Sequence, residues 1–206
     1  MKVLLINGSP HEKGCTYTAL SLIAGELNAS GIETEILNVG TKPVGGCIGC
    51  GGCAKGNGCV FGGVVNEAIE KAKTADAFVF GTPVHYASAS GNMTSFMDRL
   101  AYAGGKYLAY KPAAICASAR RAGTTTTLDQ LVKYPEFFHM PLVSGSYWPM
   151  VHGSKPEQVL EDEEGCAVMR ELGRNMAWLL KCIELGKANG ITHPENPRRP
   201  MTNFIR

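Results

Sequence analysis

Cys47, Cys50, Cys53 and Cys59 are the side chains whose type and spacing most invite chemistry. Three thiols at successive three-residue steps can curl round one centre, and a fourth can close the set. Gly45, Gly46, Gly49, Gly51 and Gly52 permit a tight backbone there and offer N–H donors to sulfide. The chain has no second such set, so all four would serve one [4Fe–4S] centre. Zinc, which favours two separated Cys-x2-Cys pairs, bare redox thiols and a structural loop are the other readings. Of the eight cysteines the remaining four stand alone. Cys116 and Cys182 lie in apolar patterns and read as small core residues. Cys15 falls at a helix start, where it can offer a backbone N–H or a thiol of lowered pKa.

Three other segments join polar donors to flexible backbone. The first is Asn7-Gly8-Ser9-Pro10-His11-Glu12-Lys13-Gly14-Cys15-Thr16-Tyr17. Free N–H groups and the positive end of a helix dipole favour an anion there, and Ser9 and Thr16 add hydroxyls. That set suits a phosphate monoester without a basic side chain, but a βα turn capped by Ser or Thr has the same composition. It is neither a Walker A nor a Gly-x-Gly-x-x-Gly motif. The second segment, Thr82 to Asn92, contains Pro83, Val84, His85 and Tyr86, and Tyr86 could line a flat aromatic ligand. The third, Ser118-Ala119-Arg120-Arg121-Ala122-Gly123-Thr124, brings two arginines that either meet a reduced ring or a donor's phosphate or lie in solvent.

These loops need elements to position them. Lys2-Val3-Leu4-Leu5-Ile6 reads as a strand buried on both faces. Thr16 to Asn28 follows with a helical pattern, and Glu33 to Val39 is a second strand. Gly40 to Gly63 has no periodicity and reads as a Cys-rich insertion. Val64 to Thr74 is helical, Ala77 to Phe80 a third strand, Thr82 to Ser90 a loop, and Gly91 to Tyr102 a helix. Ala113 to Ala117 is a fourth strand and Thr125 to Phe138 a helix. Pro141-Leu142-Val143 is a short fifth strand, and Pro156 to Lys187 a long helix broken near Gly165. The expectation is an α/β domain over residues 1–190, with an irregular tail over 191–206. Its five parallel strands, in the doubly wound order 2-1-3-4-5, carry helices on both faces. Ligands of such sheets sit beyond the carboxyl ends of the strands, which selects the loops after Ile6, Phe80 and Ala117.

Composition narrows the function. The chain has 206 residues, 45% apolar and 18% charged, with a net charge of +2. That balance gives no field for nucleic acid or a membrane surface. No run nears the length of a membrane span or a secretion signal, so the expected compartment is the cytoplasm. Met176, Trp178, Leu179, Leu180, Ile183 and Leu185 exceed what one sheet edge must cover, and Phe204-Ile205 adds an apolar pair near the end. The expectation is a homodimer or homotetramer.

Asn7-Gly8-Ser9-Pro10 with Gly14 and Thr16, then Pro83-Val84-His85-Tyr86 and Asp98-Arg99, resemble the signatures of flavodoxin-like NAD(P)H-dependent FMN reductases, above all the iron–sulfur flavoproteins. The likeness covers residues 1 to about 190, and its motifs come in the right order, each after a strand. It implies FMN, with the phosphate met by Ser9, Thr16 and Tyr17 in the loop that also holds Pro10, His11 and Cys15. Pro83, Val84, His85, Tyr86 and Asn92 would border the ribityl chain and ring, with Ser118, Ala119, Arg120 and Gly123 on the far side. His11 stands where relatives often have Arg, so backbone donors carry more of the phosphate. The compact Cys spacing likewise resembles that of the iron–sulfur flavoproteins. The implied activity passes electrons from NAD(P)H or reduced ferredoxin to a flavin, quinone, aromatic compound or protein, with no catalytic side chain beyond the flavin. An electron carrier or redox sensor is the alternative. Carriers of this type are usually acidic, whereas the pI here is about 8.1.

Overall fold

The computed structural model describes residues 1–196 and 202. Five parallel strands form its sheet: β1 (Lys2–Asn7), β2 (Glu33–Asn38), β3 (Ala77–His85), β5 (Ala113–Ala119) and β6 (Met150–His152). The order β2-β1-β3-β5-β6 is the doubly wound order expected. A two-residue strand, β4 (Ser88–Ala89), turns back antiparallel on β3.

Strand alternation divides the core in two. Leu4, Ile6, Phe78 and Phe80 face α2 (Val64–Thr74), α3 (Gly91–Gly104) and α4 (Thr124–Phe137). Val3, Leu5, Val79 and Cys116 face α1 (Cys15–Ala29), α5 (Pro156–Glu161) and α6 (Glu163–Ala188). Burying each such large apolar side chain contributes about 1.5–3 kcal/mol. Both faces are covered, which is why these strands read as continuous apolar runs. α6 lies against α1 because Gly173 carries no Cβ; one there would meet the Ile23 carbonyl oxygen at 2.7 Å.

Three expectations about elements need correction. The fifth parallel strand is β6, not Pro141-Leu142-Val143. That tripeptide makes one isolated bridge, Leu142 to Ala113, and Pro141 has no N–H to extend it. β6 pairs instead with the carboxyl end of β5, Ala117 opposite Met150. β3 runs on to His85, so Thr82, Pro83 and Val84 are strand residues rather than loop. The late helix breaks at Asp162 rather than Gly165. Asp162 caps α6 by accepting from the Gly165 N–H at 2.9 Å, and it also accepts from the His152 N–H at 2.7 Å. Residues 191–196 carry no regular structure, while Phe204 and Ile205 lie outside the described residues. Among the described residues no helix is long and apolar enough to cross a membrane.

Candidate functional site at the carboxyl edge of the sheet

The loops after β1, β3 and β5 meet at the carboxyl edge, where the chain order reverses on either side of β1. Asn7, fully buried, organises the first of them. Its Nδ2 donates to Asn38 Oδ1 at 2.8 Å and to the Glu12 carbonyl at 3.2 Å, and its Oδ1 accepts from the Ser9 N–H at 3.1 Å. Ser9 Oγ in turn accepts from the His11 N–H. The loop is therefore shaped from inside.

α1 begins at this loop without a side-chain cap. Its N-cap is Gly14, and no acidic residue occupies its first turn. The Ser or Thr cap of an ordinary βα turn is thus missing, and the N–H groups at the helix start have no side-chain acceptor. Thr16 and Ser118 stand beside them, both buried, with their hydroxyls 2.8 Å apart. This uncapped, positively polarised helix end with buried hydroxyls fits a phosphate monoester. An open cavity of about 510 Å³ adjoins it, lined by Pro10, His11, Gly14 and Cys15 on one side and Ser154 and Lys155 on the other. Sequence reasoning missed Lys155 because it lies far along the chain. Burial pushes the Cys15 thiol up, contrary to the lowered value considered above, and its Sγ contacts the Gly153 carbonyl at 3.4 Å.

The second loop is a hairpin. Val84 pairs with Ala89 and His85 with Ser88, so Tyr86 and Ala87 form its tip. Both have positive φ, 50° and 57°, a combination that costs non-glycine residues energy. Gln130 of α4 holds the hairpin, its Oε1 accepting from Ser88 Oγ at 2.7 Å and the Ala89 N–H at 2.9 Å. Thr126 Oγ1 donates to the Ala87 carbonyl at 2.8 Å. The third loop closes against the same tip. Gly123, at φ 95°, leaves no room for a Cβ, which would meet the Ala87 Cα at 2.7 Å. Val84 and Gly123 are therefore neighbours, with Tyr86 presented to solvent. His11, His85, Arg120 and Arg121 are exposed along this edge.

Asn92, expected beside the ribityl chain and ring, bonds within the protein to the Cys-rich segment. Its Nδ2 donates to the Lys42 carbonyl at 3.1 Å and its Oδ1 accepts from the Val44 N–H at 3.1 Å. The residue thus clamps the neck of the Cys-rich segment onto α3. Ser90, missed in the sequence, caps α3 by accepting from the Met93 N–H and donates to the Gly8 carbonyl at 2.7 Å, tying the first loop to the second.

The Cys-rich segment leaves β2 and returns to α2, passing through a 3-10 turn at Gly52–Lys55. Gly49 and Gly51 have positive φ, as a tight thiol loop requires. Among the described residues no three His, Cys, Asp or Glu side chains stand together as a metal-ion set. Cys47, Cys50, Cys53 and Cys59 nevertheless line one cavity of about 130 Å³ with Phe61 and Arg99. Four cysteines bordering one small cavity fit an iron–sulfur centre by residue type, without their side chains being gathered into a set. Of the other cysteines, Cys116 is buried as expected, but Cys182 is exposed on α6 rather than in the core.

Residues 1–155 match the family model for NADPH-dependent FMN reductase. The chain is 30% identical over 193 residues to an iron–sulfur flavoprotein of Methanocaldococcus jannaschii, covering 89% of this chain and 100% of that one. Among solved structures it resembles RosB with a bound 8-demethyl-8-formylriboflavin-5′-phosphate intermediate, at TM-score 0.69 and 14% identity, covering 100% of this chain and 93% of that one. It also resembles a flavodoxin from the domain Archaea, at TM-score 0.59 and 13% identity, covering 88% and 99% respectively. Those two likenesses concern the fold.

Proposed function

We propose that this chain, which belongs to the NADPH-dependent FMN reductase family and is a flavin oxidoreductase, binds FMN on the three carboxyl-edge loops and draws electrons from NAD(P)H or a reduced ferredoxin. The observation that carries the reading is the uncapped start of α1, with the buried Thr16 and Ser118 hydroxyls beside it. The Cys15, Thr16 and Tyr17 N–H groups and Ser9 would hold the phosphate, helped by His11 and Lys155. Pro83, Val84 and Tyr86 would line one side of the ring, and Ala119, Arg120 and Gly123 the other. When bound, FMN supplies hydride acceptance and electron release in single or paired steps. The chain's own work is to hold the ring between two loops and to exclude water with Val84 and the hairpin. No side chain need act as nucleophile or obligatory base. The acceptor would be a flavin, a quinone, another aromatic compound or a protein.

Anaerobic purification, extraction and chromatography of the flavin test the reading. FMN equimolar with the chain is expected; FAD, or no flavin after reconstitution, would overturn it. Steady-state assays with NADH, NADPH and reduced ferredoxin then identify the donor. Full FMN with no turnover on any donor and acceptor would leave a carrier rather than an enzyme.

The thiols of Cys47, Cys50, Cys53 and Cys59 are in this reading the ligands of one iron–sulfur cluster. Their common cavity supports it, as does the name of the Methanocaldococcus relative. Cys50→Ser should abolish iron binding and slow flavin reduction by ferredoxin far more than by dithionite. Equal slowing would mean that the segment only supports the flavin loops.

A further inference from the structure

Arg99 sits on α3 and faces the cysteine segment, with only 6% of its surface exposed. A guanidinium is cationic at any pH a protein meets. Its Nε donates to Cys59 Sγ at 3.2 Å, its Nη1 to the Gly45 carbonyl at 3.4 Å and its Nη2 to the Gly62 carbonyl at 2.9 Å. The adjacent carboxylate, Asp98, is occupied elsewhere, accepting from the Tyr134 hydroxyl at 2.6 Å. The ion pairs among the described residues involve Lys2, Lys71, Lys73, His152 and Arg174, and none involves Arg99. A cation withdrawn from water needs a counter-charge. The cavity it lines is bordered by four cysteines, and a thiol that binds a metal does so as the thiolate.

The cysteines are also held unequally. The Cys59 N–H donates to Asn66 Oδ1 at 2.8 Å, and Asn66 Nδ2 donates to the Cys59 carbonyl at 3.0 Å. Cys59 is thus fixed at its backbone from α2 and at its sulfur from α3. Cys47 and Cys50 are exposed on the glycine-rich arc.

We propose that Arg99 is the positioning residue of the cysteine segment. It holds Cys59 as the preformed anchor, ties both ends of the segment to α3 through Gly45 and Gly62, and supplies the positive charge that a thiolate-bound centre neutralises. This rests on the iron–sulfur reading of the segment. A charged N–H donor on a ligand sulfur and a buried positive charge both favour the reduced state of such a centre and raise its reduction potential.

The test compares wild type with Arg99→Gln and Arg99→Lys after anaerobic reconstitution with ferrous iron and sulfide. Iron, acid-labile sulfide and FMN are counted per chain, and the midpoint potential of the iron centre is read by redox titration with EPR detection. FMN content reports whether each variant folds. Arg99→Gln should lose iron several-fold faster to a chelator, and the centre it keeps should titrate at a lower potential. Arg99→Lys keeps the charge without the three-way fork, so it should lose iron faster than wild type while its potential stays nearer to that of wild type. Wild-type iron retention and potential in Arg99→Gln would overturn the proposal and leave the iron–sulfur reading intact. If Arg99→Gln fails to fold, wild-type iron retention in Arg99→Lys overturns it instead. If wild type fills with FMN but takes up neither iron nor sulfide, the underlying reading fails, and the role of Arg99 falls with it.

Discussion

Thr16 and Ser118 lie about a hundred residues apart in sequence and share one hydrogen bond at the start of α1. Thr16→Val removes a hydroxyl and leaves that of Ser118 buried without its partner. We expect a loss of roughly 1–3 kcal/mol in urea unfolding, because an unsatisfied buried polar group costs about that much. FMN affinity should fall on the order of tenfold to a hundredfold, the usual worth of a hydrogen bond to a charged group, as read by fluorescence titration. Cys116 behaves differently: burial alone pushes its thiol from 9.0 up to about 12. In the unfolded chain that thiol ionises first, so the folded state binds the proton more tightly. Stability from this group is whole below about pH 9 and is lost as pH rises towards 12. Cys116→Ala should flatten the alkaline limb of a stability–pH curve measured by chemical denaturation. An unchanged slope would mean that Tyr134, whose hydroxyl is also pushed up by burial and by Asp98, dominates that limb.

At the scale of elements, the hairpin from β3 to β4 stores backbone strain in Tyr86 and Ala87, and the third loop rests on it. Ala87→Gly relieves the left-handed conformation. It should raise stability by about 0.5–1 kcal/mol, while FMN dissociates faster from a looser tip. Thermal melts and stopped-flow release separate the two effects. Gly123→Ala does the opposite. Its Cβ would meet Ala87 at 2.7 Å, so the loops must part. FMN affinity should drop at least tenfold, on the order of the 1–3 kcal/mol that overpacking costs. A variant that binds FMN as wild type does would show that the contact between the loops does not shape the flavin site.

At the scale of the whole molecule, apolar surface stays uncovered among the described residues. Trp178 and Leu185 on α6 are 68% and 66% exposed, whereas Met176 and Leu180 of the same helix are buried against the chain's own core. Part of the apolar excess in this helix is thus satisfied within the chain, and part points outward. We expect residues 1–190 to act as one domain and to self-associate through the outer face of α6. Sedimentation at micromolar concentration should give a dimer or tetramer, and Trp178→Asp should shift it towards monomer. A wild-type monomer would contradict this.

Local pattern gave most of the alternation of strands and helices, and the doubly wound rule then gave the sheet order and the three loops at its carboxyl edge. Each of these follows from apolar periodicity and from the rule that ligands gather at the switch point. The cysteine spacing was equally legible, since consecutive thiols need no fold to be recognised as a donor set. Tertiary structure decided what depends on distant partners. It replaced Pro141–Val143 with β6, because pairing at the carboxyl end of β5 offered N–H groups that Pro141 lacks. It tied Asn92 to Lys42 and Val44 at the neck of the Cys segment. It also brought Arg99, forty residues away in sequence, onto Cys59. Arg99 reaches the cysteine segment from a packed helix, and no spacing within one segment of sequence encodes that meeting.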